Sequence, residues 1–137
     1  MEPKPNVQEL IYQFRILKEQ RDWLASQLEL YNASLSNTMV TKTTLENLKN
    51  VKQDEEILIP IGGIANIKAK IVDTENVIVN ISQGVAIQKN LDASIEFIDK
   101  IIEQHNEQIT FLSSQIQQMD ANLQGMSNQF QKNVPTQ

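Results

Sequence analysis

The chain of 137 residues contains no cysteine. Disulfides and thiolate metal sites are excluded, and the redox compartment is left open. Aromatic residues make up only 5% of the chain, against 40% hydrophobic residues in all. Phe, Tyr and Trp dominate globular cores, so their scarcity argues against a large compact core and suits a long seam of Leu and Ile. No run of Lys or Arg occurs, and the net charge is −5 with a pI of about 4.8. An acidic chain without a basic patch binds nucleic acid and anionic membrane poorly, so neither is an expected partner. No stretch of about 18 apolar residues is present to form a membrane-spanning helix. The opening Met1-Glu2-Pro3-Lys4-Pro5 lacks the apolar core of a signal peptide, so a soluble cytoplasmic protein is expected.

Reactive constellations are missing as well. His105 is the only histidine. No second ligand candidate stands beside it, and zinc needs three or four, so a tolerated polar residue in a helical seam is the better reading. Ile61-Gly62-Gly63-Ile64 lacks the Lys-Ser/Thr and the helix start of a phosphate loop. Paired carboxylates for acid–base work need a buried cleft, which a thin rod does not offer. The sequence therefore predicts neither an enzyme nor a cofactor.

What is present is a seam. From Leu91 to Phe130 the apolar residues are Leu91, Ile95, Ile98, Ile102, Ile109, Leu112, Ile116, Met119, Leu123, Met126 and Phe130. With His105 in the gap, the steps alternate between four and three, which is the a/d repeat of a coiled coil. A helix with one narrow apolar stripe is not stable alone in water, so it needs a partner helix. Leu10, Phe14, Leu17, Arg21, Leu24, Leu28, Tyr31, Leu35, Thr38, Lys42 and Leu45 supply one with the same stepping, extended by Leu48. Asn6 is a good N-cap for that first helix, with Glu9 placed to complete a capping box, while Pro3 and Pro5 oppose helix before it. Asn90 is a plausible cap for the second helix, which Val134-Pro135 ends. Gly125 lies inside it and loosens its last turns by about 1 kcal/mol relative to Ala.

Between the two seams the period changes to two. Ile57-Leu58-Ile59-Pro60-Ile61, Ile64 to Ile71, Val77-Ile78-Val79-Asn80-Ile81 and Val85-Ala86-Ile87 are short β-branched runs bounded by Gly, Asn and Asp. They read as four strands in two hairpins, with Gly62-Gly63, Gly84 and the tetrad Asp73-Thr74-Glu75-Asn76 at the turns. Ala65, Ile67, Ala69 and Ile71 alternate with Asn66, Lys68 and Lys70, giving one apolar face. The expected class is α+β: a single domain over 1–137 with helix 1 at about 7–53, hairpins at about 57–88 and helix 2 at about 91–131. The long antiparallel two-helix coiled coil is joined by hairpins whose open edges recruit further strands. The acidic Asp54-Glu55-Glu56 reads as a solvated joint.

This order, and above all Leu58-Ile59-Pro60-Ile61-Gly62-Gly63 with Val79-Asn80-Ile81-Ser82-Gln83-Gly84-Val85-Ala86, resembles the α-type subunits of the prefoldin (GimC) family over essentially the whole chain. Two hairpins point to the α-type, and the Gly-Gly pair resembles archaeal members. Ser82 stands where the family usually has Gly, which predicts a less permissive turn before Val85. The resemblance implies that two α-type and four β-type subunits join through their strands into an intersubunit β-barrel. It further implies that the coiled-coil ends grip non-native polypeptides and pass them to a group II chaperonin without nucleotide.

Pairing Leu10 with Phe130 and Leu48 with Leu91 places Arg21 near Met119 and Asp120, Lys42 near Ile98 and Asp99, and His105 near Leu35. Both cations are then expected to contact those carboxylates. The free end carries Val7, Leu10, Ile11 and Phe14 on one helix and Leu123, Met126 and Phe130 on the other, with Val7 and Ile11 widening the stripe. These are the candidate substrate-binding residues. They equally continue the seam, and both readings stay open. The candidate assembly residues are Ile59, Ile61, Ile67, Ile71, Val77, Val79, Ile81, Val85 and Ile87. The competing function is a structural coiled-coil spacer or filament former that binds no client.

Overall fold

A computed structural model describes residues 6–133 of the chain. Pro3, Pro5, Val134 and Pro135, which set the expected chain ends, lie outside the described residues. The elements run α1 (Val7–Leu48), β1 (Glu56–Pro60), β2 (Asn66–Lys70), β3 (Asn76–Ser82), β4 (Val85–Asn90) and α2 (Leu91–Asn133). Two compact units result: a terminal unit built from residues up to 35 and from 104 onward, and a central unit of residues 36–103.

Side-chain caps start both helices. Asn6 Oδ1 accepts the Gln8 N–H at 3.2 Å, and Asn90 Oδ1 accepts the Ala93 N–H at 2.7 Å. α1 stops at Leu48, short of the expected end near 53. The reason is local. Lys49, Asn50 and Val51 donate to Glu46, Asn47 and Leu48, three residues back, so the helix tightens and ends. The Glu55 carboxylate then accepts the Lys52 N–H at 2.9 Å, and Asp54 turns the chain with a φ of 65°. The acidic run is thus a joint with specific hydrogen bonds, not merely a solvated stretch.

In the terminal unit the helices run antiparallel along the two heptad seams. Leu10, Leu112 and Ile116 are buried there, and Phe14, Leu17, Leu24, Leu28, Ile109, Met119 and Leu123 are half-buried. Arg21 Nε donates to Asp120 Oδ1 at 2.9 Å, as the pairing of the seams predicts. His105 Nε2 meets Ser34 Oγ at 2.7 Å, and its ring lies edge-on to Tyr31 with centroids 5.6 Å apart. The single histidine is therefore held by a polar partner inside the seam.

In the central unit Leu45, Leu91 and Ile98 form one buried cluster, covered by Leu48, Val77, Ile95, Phe97, Ile101 and Ile102. Ser94 is fully buried, and its hydroxyl donates to the Asn90 carbonyl at 2.8 Å, so its burial leaves nothing unpaired. Lys42 Nζ sits 2.7 Å from Asp99 Oδ1, the second predicted cross-helix pair. Lys49, just past the end of α1, pairs with Asp92 of α2 at 2.9 Å, a contact outside both seams.

The strands form two separate two-stranded sheets, β1 with β2 and β3 with β4, both antiparallel. Ile59 pairs with Ile67 and Val79 with Ile87 across the ladders. Gly62 and Gly84 turn with φ of 99° and 76°, a region that favours glycine. Ser82 pairs with Val85 inside the ladder, past an irregularity after Asn80. The left-handed residue is Gly84, so Ser82 imposes no strain on the turn. Asp73 folds the link between the hairpins by accepting the Glu75 and Asn76 N–H groups at 2.9 and 3.1 Å. Those bonds, the one from Glu75 first, pull its carboxyl below the usual range.

Candidate functional site

Two groups of residues stand out for what they leave uncovered. The first is the paired end of the helices in the terminal unit. Leu10 is 6% exposed, and Phe14 meets Phe130 edge-on, ring centroids 5.8 Å apart. Leu123, Met126 and Phe130 are half-buried. These five continue the seam in this conformation. Val7 and Ile11, by contrast, are 50% and 46% exposed. The end thus combines seated and open apolar residues. Tyr12 is exposed beside them and was missed, because it falls in no seam position.

The second group is the hairpins. Ile59, Ile61, Ile67, Ile81, Val85 and Ile87 are all exposed. Ile71 and Val77 are half-buried, and Val77 packs on the central cluster. Val79 is buried within its own chain. Val77 and Val79 therefore serve the central unit's own core, and the open part of the surface lies elsewhere. Sequence reasoning missed Leu58, Ile64, Val72 and Ile78, which are among the most exposed apolar residues of the chain. Strand alternation hid Leu58 and Ile78, since they lie on the strand face opposite the one taken as apolar. Each two-stranded sheet also leaves two edges unpaired within the chain.

The sequence profile of the prefoldin family, described as prefoldin subunit, matches residues 17–135. The chain belongs to the prefoldin family. It is 42% identical over 104 residues to prefoldin subunit alpha 1 of Thermococcus kodakarensis, covering 76% of this chain and 71% of that protein. It is 30% identical over 139 residues to prefoldin subunit alpha of Methanobrevibacter smithii, covering 91% and 94%. The prefoldin fold is seen in a chain of filamentous PFD from Methanocaldococcus jannaschii, with a TM-score of 0.71, 19% identity and coverage of 84% and 95%. The prefoldin beta subunit of Thermococcus strain KS-1 follows, with a TM-score of 0.62, 15% identity and coverage of 98% and 100%. The likeness to α-type subunits that the two hairpins suggested, and to archaeal ones that the Gly-Gly pair suggested, therefore stands. Among the described residues no prefoldin helix is long and apolar enough to cross a membrane.

Proposed function

We propose that this prefoldin chain is an ATP-independent holdase subunit whose 1–137 act as one domain in the cytoplasm. Its hairpins join β-type subunits, two α with four β, in an intersubunit β-barrel. Its helix ends bind non-native polypeptides for transfer to a group II chaperonin. Nothing in this mechanism calls on a nucleotide or cofactor.

The observation that carries the reading is the apolar helix end, where half-exposed Val7 and Ile11 adjoin the Phe14–Phe130 contact. Unfolded segments expose apolar side chains without a fixed sequence, and an apolar surface accepts them without sequence preference. Each end is weak alone, and several around one cavity bind tightly through effective concentration. The exposed Ile64, Ile78 and Val72 support the assembly part, because an apolar surface of that kind in a lone chain marks an interface. A spacer or filament former needs the hairpin surface but not the apolar end.

The test is aggregation of a denatured enzyme without ATP, using the assembled complex. Leu10→Ser, Phe14→Ser, Met126→Ser and Phe130→Ser combined are expected to abolish its protection while leaving assembly intact. Full protection by that variant overturns the helix end as the client site, and no protection by the unaltered complex assigns the protein to the spacer class.

A further inference from the structure

The free edge of β3 differs from the other strand edges. β3 bonds to β4 along one side and has no strand on the other among the described residues. A charge or a proline on an edge strand discourages further pairing. β1 carries Glu56 and Pro60, β2 carries Lys68 and Lys70, and β4 carries Lys89. β3 has neither a charged residue nor a proline. Beside it runs a groove of about 260 Å³, bounded by Val77 to Asn80 of β3 and by Leu45, Phe97 and Ile101 of the helices among others. No described residue of β4 lines the groove, so it opens along the free edge. An added strand finds backbone groups to bond and an apolar floor beneath them.

The residues of this edge are symmetric. Asn76-Val77-Ile78-Val79-Asn80 reads the same in both directions. A two-fold axis through Ile78 sets the strand antiparallel to a copy of itself. Ile78 then lies opposite Ile78, each Val77 opposite Val79, and each Asn76 opposite Asn80. Apolar side chains meet apolar ones, which stabilises a strand pair. Asn76 Nδ2 already donates to Asp73 Oδ2 at 3.2 Å, and its amide oxygen is left to accept from Asn80 of the second copy. The ladder irregularity between Asn80 and Ser82 closes the match at one end, and the turn held by Asp73 closes it at the other. In β1 the symmetry stops at Ile57-Leu58-Ile59, between Glu56 and Pro60.

Resting on the assembly part of the holdase reading, we propose that the β3 edge is the contact between two copies of this chain, joined into one β4–β3–β3–β4 sheet. The axis is normal to that sheet, so Val77 and Val79 keep serving each copy's own core. Ile78, 75% exposed in the single chain, gains its counterpart as a neighbour. Four strands over an apolar face are stable where a lone hairpin is marginal. A client segment or a β-type strand has a different sequence, and the symmetry of β3 offers it nothing.

The chain has no cysteine, so one introduced thiol reports one contact. Ile78→Cys places its Cα about 4.5–5.5 Å from that of the second copy, within the roughly 4.4–6.8 Å that a disulfide spans. The complex is assembled with cysteine-free β-type subunits and oxidised with diamide. Most of the chain is expected to run as a covalent pair. Asn76→Cys alone should not link, because its copies lie about 14 Å apart along the strands. Asn76→Cys mixed with Asn80→Cys should link.

A complex of full size in which Ile78→Cys stays unlinked overturns the β3 contact and leaves strand-mediated assembly standing. Linking of Asn76→Cys to itself, or of Leu58→Cys in equal yield, marks another register or chance collision and also overturns it. Should Ile78→Cys fail to assemble, the mixture of Asn76→Cys and Asn80→Cys decides in its place. No complex from the unaltered chain removes the assembly reading and this contact with it.

Discussion

The central unit gathers Leu45, Leu91 and Ile98 into one cluster, with Val77, Phe97 and Ile101 closing over it. The terminal unit buries Leu10, Leu112 and Ile116 along a two-helix seam, with neighbours that stay half-buried. Both units use the same four-and-three stepping. The difference is a third layer. Where β3 supplies Val77, the seam cluster gains a strand layer; where only two helices meet, Leu10, Leu112 and Ile116 are buried to the same degree without one. The strand layer therefore adds contacts to the central cluster that the terminal seam does not have. Exposed apolar residues occur in both, on the hairpins and at Met39 and Val40 of α1 in one and on the helices in the other, and these surfaces can be separated by mutation.

The largest effect expected is on assembly. Ile64→Lys with Ile78→Lys places one charge in the β1–β2 turn and one on β3, both at exposed apolar positions. The chain should keep its helix content, because exposed substitutions shift stability by about 0.5 kcal/mol or less. Size measurement after mixing with a β-type subunit should show no complex. A complex of normal size would show that the open strand residues serve no interface, and the contrast between the units would lose its functional meaning.

The next effect sharpens the comparison of depth. Ile98→Ala in the central cluster should destabilise by about 2–5 kcal/mol, the usual cost of truncating a surrounded aliphatic side chain. Leu112→Ala should fall at the low end, about 2 kcal/mol, because no strand layer pins the two helices there and their side chains can close into the vacated space. Urea denaturation of the two variants in the same complex reads both. Equal losses would mean that the third layer adds nothing to the seam.

Much of this contrast was legible in the residues. The a/d spacing marks the covered side of each helix, and matching the ends of the two seams is enough to set Arg21 against Asp120 and Lys42 against Asp99. The α1 terminus was not legible, since it depends on three successive tightened hydrogen bonds and a left-handed Asp54, to which heptad counting is blind. Strand exposure was only half legible. Alternation tells two faces apart, but whether a face is covered depends on what packs on it, so Val79 and Ile87, paired across one ladder, differ in burial. Ile16, Trp23 and Leu30 are exposed at seven-residue spacing outside the a/d positions, where heptad counting predicts no apolar residue.

Acid provides a milder probe of one unit only. Asp73, in the central unit, has its carboxyl pulled down by the Glu75 and Asn76 hydrogen bonds. A depressed carboxylate contributes stability that is present above its unfolded pKa, about 3.9, and lost as pH falls through the lower folded value. The hairpin link should therefore loosen only below about pH 4. Amide exchange at Glu75 and Asn76 should rise there, and Asp73→Asn should remove most of that pH dependence. Acid-induced exchange that began instead along residues 104–133 would place the sensitive carboxylates in the terminal unit.

Alkali should give the smallest and most selective difference. The two cross-helix pairs look alike, but one cation is Lys42 and the other Arg21. Lys42 is raised above the ordinary lysine range by its hydrogen bond to Asp99, then by the charge of that carboxylate. A raised base stabilises fully below its unfolded pKa, about 10.4, and that stabilisation is lost as pH rises through the folded value. Arg21, held by Asp120 and raised from a higher starting point, stays charged throughout that window. Both pairs are exposed to solvent, so the change is small and weakens with salt. A low-salt urea series between pH 10 and 12 should show a slight decline that Lys42→Arg removes and Arg21→Lys deepens. A decline untouched by Lys42→Arg would mean that the central pair contributes nothing measurable, leaving its cluster of Leu and Ile as the whole of that unit's advantage.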